Sequence, residues 1–393
     1  MKTLINRTDA SDTTTSSTLT ETLFSNGTEY FDALLNDIQT ATKTILLETY
    51  IFNLDLLGQK IMTALIQAQH RGVKVKVMVD GVGSTSFIAK ASEFEKLGIK
   101  TKIYHPFPWH IWSWSRSAVT LPSLLKGIYL LLNIPRRNHR KVCLIDDSIA
   151  YVGSINIAKS HLTTNEGGQN WRDTGIRLSG RPFTELIDSF ERAWHHRSIK
   201  EVLKEAFHKV GRNPVIRLNN SRHRRRILYK QLLRRVHKAQ HRVWVTNSYF
   251  IPDTHLLKKL KEAASHGCDV RLLVPHKGDT WLPMPWASAC FYQSLLKAGV
   301  RIFEFLPSIL HAKSFIIDDW VIVGSSNLDY LSLLHNLEVD VRLSNKDTIE
   351  QAKSLFLQDL NHAKEISIKT LDQHRPLYQR ILGRLMLILR YWI

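Results

Sequence analysis

The chain has 393 residues, with 54 Lys and Arg against 35 Asp and Glu, a net charge of +19 and 44% hydrophobic residues. That length exceeds a single small module and the apolar content excludes a charged disordered chain, so about two or three folded units with real cores are expected. The positive excess points to polyanionic partners, either nucleic-acid phosphates or an anionic membrane surface, without choosing between them. Cys143, Cys268 and Cys290 are too few and too scattered for a disulfide framework or a zinc site, which fits a reducing cytosol.

Residues 1–20 form a polar, Thr- and Ser-rich tail without the apolar stretch of a signal peptide or spanning helix, so any membrane is met from outside. A first lobe is expected over 21–198. It starts as a β-α-β unit: the strand ILLETYIF, an amphipathic helix Gly58–His70 stopped near Gly72, and the buried parallel strand VKVKVMV. An apolar insert over 105–137 follows, carrying Trp109, Trp112 and Trp114 and a run too short to span a membrane and interrupted by Lys126. Next come HRKVCLID at 139–146, the strand IAYVG, GSIN at 153–156 and NWRDTGIRL.

Residues 199–209 read as a linker and 210–368 as a second lobe, with the basic run Arg222–Arg226 as a solvated face near its start. The second lobe repeats the order of the first: VWVTNSYFIPD, a helix over His255–His266 stopped at Gly267, the strand DVRLLV, HAKSFIID at 311–318, WVIVG, GSSN at 324–327 and HNLEVDVRL. The closing stretch, 369–393, is amphipathic and basic. Arg380, Arg384 and Arg390 fall on one helical arc and Ile381, Leu385, Leu389 and Trp392 on another, as in interfacial helices or in a helix packed on its own core.

The internal repeat decides the architecture. His, Lys and Asp recur at an offset of 172 and the glycine of GSxN at 171. Two α/β lobes packed face to face are therefore expected. On a strand, residues two apart share a face, so His139 projects with Lys141 and His311 with Lys313, an imidazole and an ammonium on one pocket wall. The hairpin after Asp146-Asp147 or Asp318-Asp319 returns Ser154 and Asn156, or Ser325 and Asn327, beside them. Aligning NWRDTGIRL with HNLEVDVRL sets Asp173 opposite Glu338, and these carboxylates are candidates to hold the second nitrogen of a reactive imidazole. His105, His110, His161 and His335 have no repeat partner and read as incidental.

HxKxxxxD followed by GSxN, twice, resembles the signature of the phospholipase D superfamily, over nearly the whole chain. More narrowly, ETYIF, VDGVGS, WRDT, SYFIPD, LLKAGVRIFEF, HAKSFIIDD and GSSNLD look like bacterial cardiolipin synthases, and the missing spanning helices make the chain more similar to the shorter B type. Two departures stand out: Leu331 where a basic residue is expected after the second GSxN, and the long stretch between Tyr104 and Asn138.

The resemblance implies the phospholipase D fold, two α-β-α lobes with one active site at their interface and no cofactor or metal. It implies transfer of a phosphatidyl group from one phosphatidylglycerol to another, giving cardiolipin and glycerol through a phosphohistidine-type intermediate. By the same analogy His139 is the nucleophile and His311 the acid and base, while Lys141 and Lys313 clamp the phosphoryl oxygens with Asn156 and Asn327 as neutral donors. Asp146 and Asp318 belong to the catalytic motif, although their place at a strand end suits bracing the hairpin or the lysine better than proton transfer. Ser154, Ser325, Asp173 and Glu338 complete the phosphate-binding or orienting set.

The expected partners are an anionic phospholipid and a membrane surface, with no obligatory nucleic acid, and the expected location is peripheral, on the cytoplasmic face of the inner membrane. A phospholipase D-type hydrolase, a nuclease using the same site and a non-catalytic membrane scaffold remain as alternatives. A nuclease calls for a solvated basic groove with aromatic platforms, which the apolar Trp-rich insert argues against.

Overall fold

The β-branched and aliphatic runs build two sheets of matching order. The computed structural model describes residues 19–195, 213–279, 284–369, 371 and 375–388. In the first half these runs are β1 (Thr20–Phe24), β2 (Thr44–Thr49), β3 (Lys74–Asp80), β4 (Lys100–Tyr104), β5 (Val142–Ile145), β6 (Ile149–Gly153) and β7 (Gly175–Ser179). They lie in the order β1-β7-β6-β5-β2-β3-β4. The second half supplies β8 (Ile216–Leu218), β9 (Arg242–Thr246), β10 (Asp269–Pro275), β11 (Arg301–Phe305), β12 (Ser314–Ile317), β13 (Trp320–Gly324), β14 (Val339–Arg342) and β15 (Ala363–Ile366). Read from β8, the second sheet runs β8-β14-β13-β12-β9-β10-β11, the order of the first, with β15 added at the far edge.

In each sheet three strands run parallel, β2-β3-β4 or β9-β10-β11, joined by right-length helical crossovers. The hairpins β5-β6 and β12-β13 pair antiparallel alongside. The expected helices are present as Leu56–His70 and Thr254–Ser265. Asp55 caps the first by accepting from the Leu57 and Gly58 N–H groups and Asp253 caps the second through Leu256 N–H. Gly72 and Gly267 follow them at φ of +93° and +87°, where any Cβ would be strained.

Burial on both faces explains the continuous apolar strands. Val142 and Leu144 of β5 join a core shared by the two lobes, while Cys143 and Ile145 point into the first lobe's own helical layer. Ile316 of β12 enters the shared core, and Phe315 and Ile317 enter that of the second lobe. The helices Thr184–Trp194 and Lys346–Asn361 lie in the seam, lending it Phe190 and Trp194, and Phe356. Each such side chain contributes about 1.5–3 kcal/mol relative to exposure, so the lobes are held face to face by a hydrophobic layer with the polar site at its edge.

The polar tail gives way to β1 at Thr20, and the linker 199–209 lies outside the described residues. The basic run Arg222–Arg226 opens the helix Arg222–Lys238 but is not all solvated, because Arg225 is buried and donates to the Leu334 and His335 carbonyls. The insert folds as a 3-10 turn, Ile111–Arg116, and a helix, Ser123–Leu132, with Trp109, Trp112, Leu124 and Leu132 strongly exposed. No helix among the described residues is long and apolar enough to cross a membrane.

Candidate active site

Both HxK motifs sit just before a strand rather than on one, since β5 begins at Val142 and β12 at Ser314. The reason lies in the opposite lobe, which takes over their backbone pairing. The His139 N–H donates to Leu337 O at 3.0 Å, and Leu337 N–H donates back to Arg137 O at 2.9 Å. In the mirror arrangement, His311 and Ala312 N–H donate to Arg172 O at 2.8 and 2.9 Å, and Arg172 N–H donates to Ile309 O.

These two crossings carry each histidine to a carboxylate of the other lobe. His139 Nδ1 lies 3.0 Å from both oxygens of Glu338, and His311 Nδ1 lies 2.7 Å from Asp173 Oδ1. An ionised carboxylate only accepts, so each Nδ1 carries the hydrogen and each Nε2 keeps the lone pair. Behind each carboxylate stands the serine of the same lobe's GSxN: Ser154 Oγ donates to Asp173 at 2.8 Å and Ser325 Oγ to Glu338 at 2.5 Å. These serines orient the carboxylates.

The ammonium groups are deeply buried beside the imidazoles. Lys141 Nζ donates to His139 O at 2.7 Å and Lys313 Nζ to His311 O at 2.5 Å. Tyr50 stacks edge-on to His139, with ring centres 4.9 Å apart, and Lys141 lies over the same ring. Asn156 spends its amide oxygen on the Ile51 N–H, and Asn327 on the Ser248 hydroxyl, so it is the amide N–H groups that remain for an anion.

Burial sets the protonation pattern. It pushes His311 down to about 4, helped by Lys313 and opposed by Asp173, and it lowers His139, with Glu338 opposing and Lys141 and Lys313 adding to the shift. It also pushes Lys313 down to about 8 and Lys141 well below the ordinary lysine range. Burial alone would raise Glu338, but His139, Lys141 and the Ser325 hydroxyl outweigh it and hold the group ionised. Asp173 is likewise held low against burial by His161 and His311. Lys313 acts on His139, and Asp173 on Lys141, across the interface, so both motifs share one electrostatic compartment.

A model of the family described as cardiolipin synthase, phospholipase D-like domain, matches residues 34–194 and 232–360. The chain belongs to this family. It is 32% identical over 373 residues to the cardiolipin synthase of Geobacillus sp. (strain WCH70), covering 92% of this chain and 70% of that one. It is 31% identical over 362 residues to cardiolipin synthase B of Salmonella typhimurium, covering 87% and 82%. Among solved structures, phosphatidylserine synthase of Haemophilus influenzae Rd KW20 superposes with a TM-score of 0.68 at 12% identity over 95% of both chains. Polyphosphate kinase of Porphyromonas gingivalis superposes with a TM-score of 0.55, also at 12% identity, over 87% of this chain and 50% of its own. These two superpositions speak to the fold.

Two members of the expected set move out of the site. Asp146 and Asp318 close β5 and β12 at the end away from the histidines, about 20 Å of extended chain from them. There Asp146 accepts from the N–H groups of Thr42, Lys43 and Thr44, and Asp318 from those of Gln240, His241 and Arg242. Both adopt positive φ, +46° and +52°, which Asp tolerates better than most residues. Their carboxyls fall below the usual range because these N–H donors overcome the effect of partial burial. They brace the hairpins.

One residue read as incidental moves in. His161 is buried, and its Nδ1 lies 2.6 Å from Asp173 Oδ2, so Asp173 bridges two imidazoles. The 171-residue offset of GSxN carries His161 onto Ser332, whose hydroxyl donates to Glu338 Oε1 at 2.8 Å. The signal was present as position rather than residue type. His161, Asp173 and His311 offer ligand atoms within 4.8 Å of one another, a grouping that their two hydrogen bonds already account for. Asp80, which lies in the motif VDGVGS but is not among the expected site residues, accepts from Asn138 N–H and is pushed up to about 6 by burial, and Asn219, which no sequence signal marks, accepts from Glu338 N–H.

Proposed function

We propose that this enzyme transfers a phosphatidyl group between two phosphatidylglycerol molecules, releasing glycerol and forming cardiolipin. His139 Nε2 attacks phosphorus as the bond to the leaving glycerol oxygen breaks, and His311 Nε2 delivers the proton to that oxygen. The second phosphatidylglycerol then gives its hydroxyl proton to His311, and its oxygen displaces His139 from phosphorus. Lys141, Lys313 and the Asn156 and Asn327 amides receive the charge of the non-bridging oxygens. The bound phosphodiester anion favours the charged imidazolium, offsetting the burial that holds His311 low in the free enzyme.

The observation that carries this reading is the reciprocal bracing of His139 by Glu338 and of His311 by Asp173. With both Nδ1 atoms committed to carboxylates, each Nε2 is left for chemistry, which suits one on each side of an in-line displacement. The exposed apolar residues of the insert, together with Leu377, Ile381, Leu385 and Ile388 on the helix Leu377–Ile388, suit peripheral attachment to an anionic bilayer. Leu389, Arg390 and Trp392 of that amphipathic stretch lie outside the described residues.

The reading is tested by mass spectrometry of lipids after incubation with phosphatidylglycerol vesicles. Cardiolipin and glycerol are expected from the native protein and neither from His139→Ala or His311→Ala. Phosphatidic acid alone would make the protein a hydrolase, and no lipid turnover by folded protein would refute the reading.

A further inference from the structure

A cavity of about 620 Å³ lies beside the paired histidines and shares none of their side chains. Its buried wall includes His105, Asn220 and Leu337, and its rim carries Arg136, Arg192 and Arg222. Among the described residues that line it there is no carboxylate. The size suits a lipid headgroup, since small-ligand cavities run roughly 300–1,000 Å³.

Four independent features make this hollow an anion site. First, two buried donors on its wall, Asn220 Nδ2 and Arg192 Nε, have no hydrogen-bond partner among the described residues, although Asn220 is fully buried. A buried donor left without a partner is costly, so it favours an acceptor brought by a ligand. The Asn220 amide oxygen is already taken by Arg140 and the Ser189 hydroxyl, so only its N–H groups are left to give.

Second, Ser221 caps the helix Arg222–Lys238 at the cavity, and the first turn of that helix holds no acidic residue. It holds Arg222, Arg224 and Arg225 instead, cations at the positive end of a helix dipole, an arrangement that an anion would relieve. Third, the surrounding cations repel one another. His105 is pushed down to about 3 by burial and then by Arg136 and Arg137, and Arg225 to about 10 by burial and then by Arg136. Fourth, a smaller hollow of about 180 Å³ shares Arg136, Ser221 and Arg222 and reaches Leu132. Leu132 ends the insert helix Ser123–Leu132, whose Leu124, Leu125, Ile128 and Leu131 are exposed.

We propose that this cavity binds the phosphate oxyanion of an anionic phospholipid at a site separate from the histidines. Arg192, Arg222 and Asn220 serve as donors, and the acyl chains lie along the exposed face of Ser123–Leu132. The inference rests on the reading of the protein as an enzyme of anionic phospholipids. Leu337, which lines the cavity, is the residue whose carbonyl holds His139 N–H and whose neighbour is Glu338. Occupancy therefore reaches the reacting histidine through backbone, without touching substrate.

The test uses the full chain carrying His139→Ala, chosen to remove the proposed nucleophile, titrated calorimetrically with a short-chain phosphatidylglycerol below its micelle concentration. Adding Arg192→Gln and Arg222→Gln should remove one bound equivalent or weaken it about tenfold or more, as loss of charge-assisted hydrogen bonds would. Should a thermal melt show the double substitution unfolded, Arg222→Gln alone, at the exposed rim, should weaken the same event.

Inorganic phosphate distinguishes the source. Failure of millimolar phosphate to displace that equivalent supports a lipid occupant, and displacement with equal affinity overturns it in favour of the free ion. Unchanged stoichiometry and affinity in the folded variants overturns the site altogether. If that happens while the native protein still makes cardiolipin, only the cavity assignment fails. If the native protein neither binds nor converts the lipid, the reading beneath it fails.

Discussion

His139 and His311 are held by the same plan with one part exchanged. On the Glu338 side the carboxylate receives His139, the Ser325 hydroxyl and the Ser332 hydroxyl. On the Asp173 side it receives His311, the Ser154 hydroxyl and an imidazole, His161, where the repeat elsewhere has Ser332. The surroundings differ as well: Tyr50 lies edge-on to His139, while Trp171 and His161 crowd His311 at 5.7 and 5.8 Å. The repeat thus presents two equivalently held imidazoles, and the exchange of one donor gives them unequal settings, which suits two roles in one displacement.

The strongest way to break this comparison is to remove the crossing carboxylates while keeping their shape. Glu338→Gln and Asp173→Asn leave the hydrogen bond but favour the wrong imidazole tautomer, so each should lower kcat by about 10²–10⁴-fold with the fold retained. Steady-state rates beside circular dichroism check this. Wild-type rates from either variant would mean that the carboxylates are ordinary buried partners.

A smaller effect sharpens the electrostatic half of the account. Lys313 keeps its charge below about 8 and loses it as pH rises through that value, so kcat/KM should fall on the alkaline side near pH 8. Lys313→Arg, which stays charged, should move that limb upward even if it lowers the maximum. A limb that does not move would assign it to another group.

The exchanged donor gives a test that separates two substitutions at one position. His161→Ser copies the second lobe's solution into the first and should keep activity within about tenfold of native. His161→Ala leaves Asp173 short of one donor and should cost more, about 2–3 kcal/mol at the transition state. Equal rates for the two would mean that the donor at this position is idle.

Least of all should catalysis notice the hairpin braces. Asp146→Ala and Asp318→Ala each orphan backbone N–H groups and should lower stability by about 1–2 kcal/mol, as loss of a cap does, with kcat of the folded protein nearly unchanged. Because these carboxyls titrate below their ordinary value, their contribution is present above the unfolded carboxyl range and is lost as pH falls through the lower folded values. A large loss of kcat at unchanged stability would return them to the active site.

Much of this was legible in the sequence, because apolar runs, helix stops and a repeated motif are local signals. The strands β2, β3, β9 and β10, the helices between them, and the pairing of Asp173 with Glu338 all followed from spacing. Which carboxylate serves which histidine did not follow, since His139 and Glu338 are 199 residues apart and meet only when the lobes dock. The role of His161 was hidden because a search for recurring residue types passes over a position where function is kept and chemistry is changed. Asp146 and Asp318 recur in the motif because both hairpins need the same brace, the role that their place at a strand end already favoured.

The central claim is that His139 and His311, though built alike, take different roles, and trapping the covalent intermediate tests it most directly. The native protein and both alanine variants would be mixed with a phosphodiester bearing a good leaving group, which needs no acid, quenched under conditions that preserve P–N bonds, and mapped by mass spectrometry. The account predicts phosphorylated His139 in His311→Ala and no adduct in His139→Ala. An adduct on His311 in the His139→Ala protein, with none on His139 in the other, would contradict it.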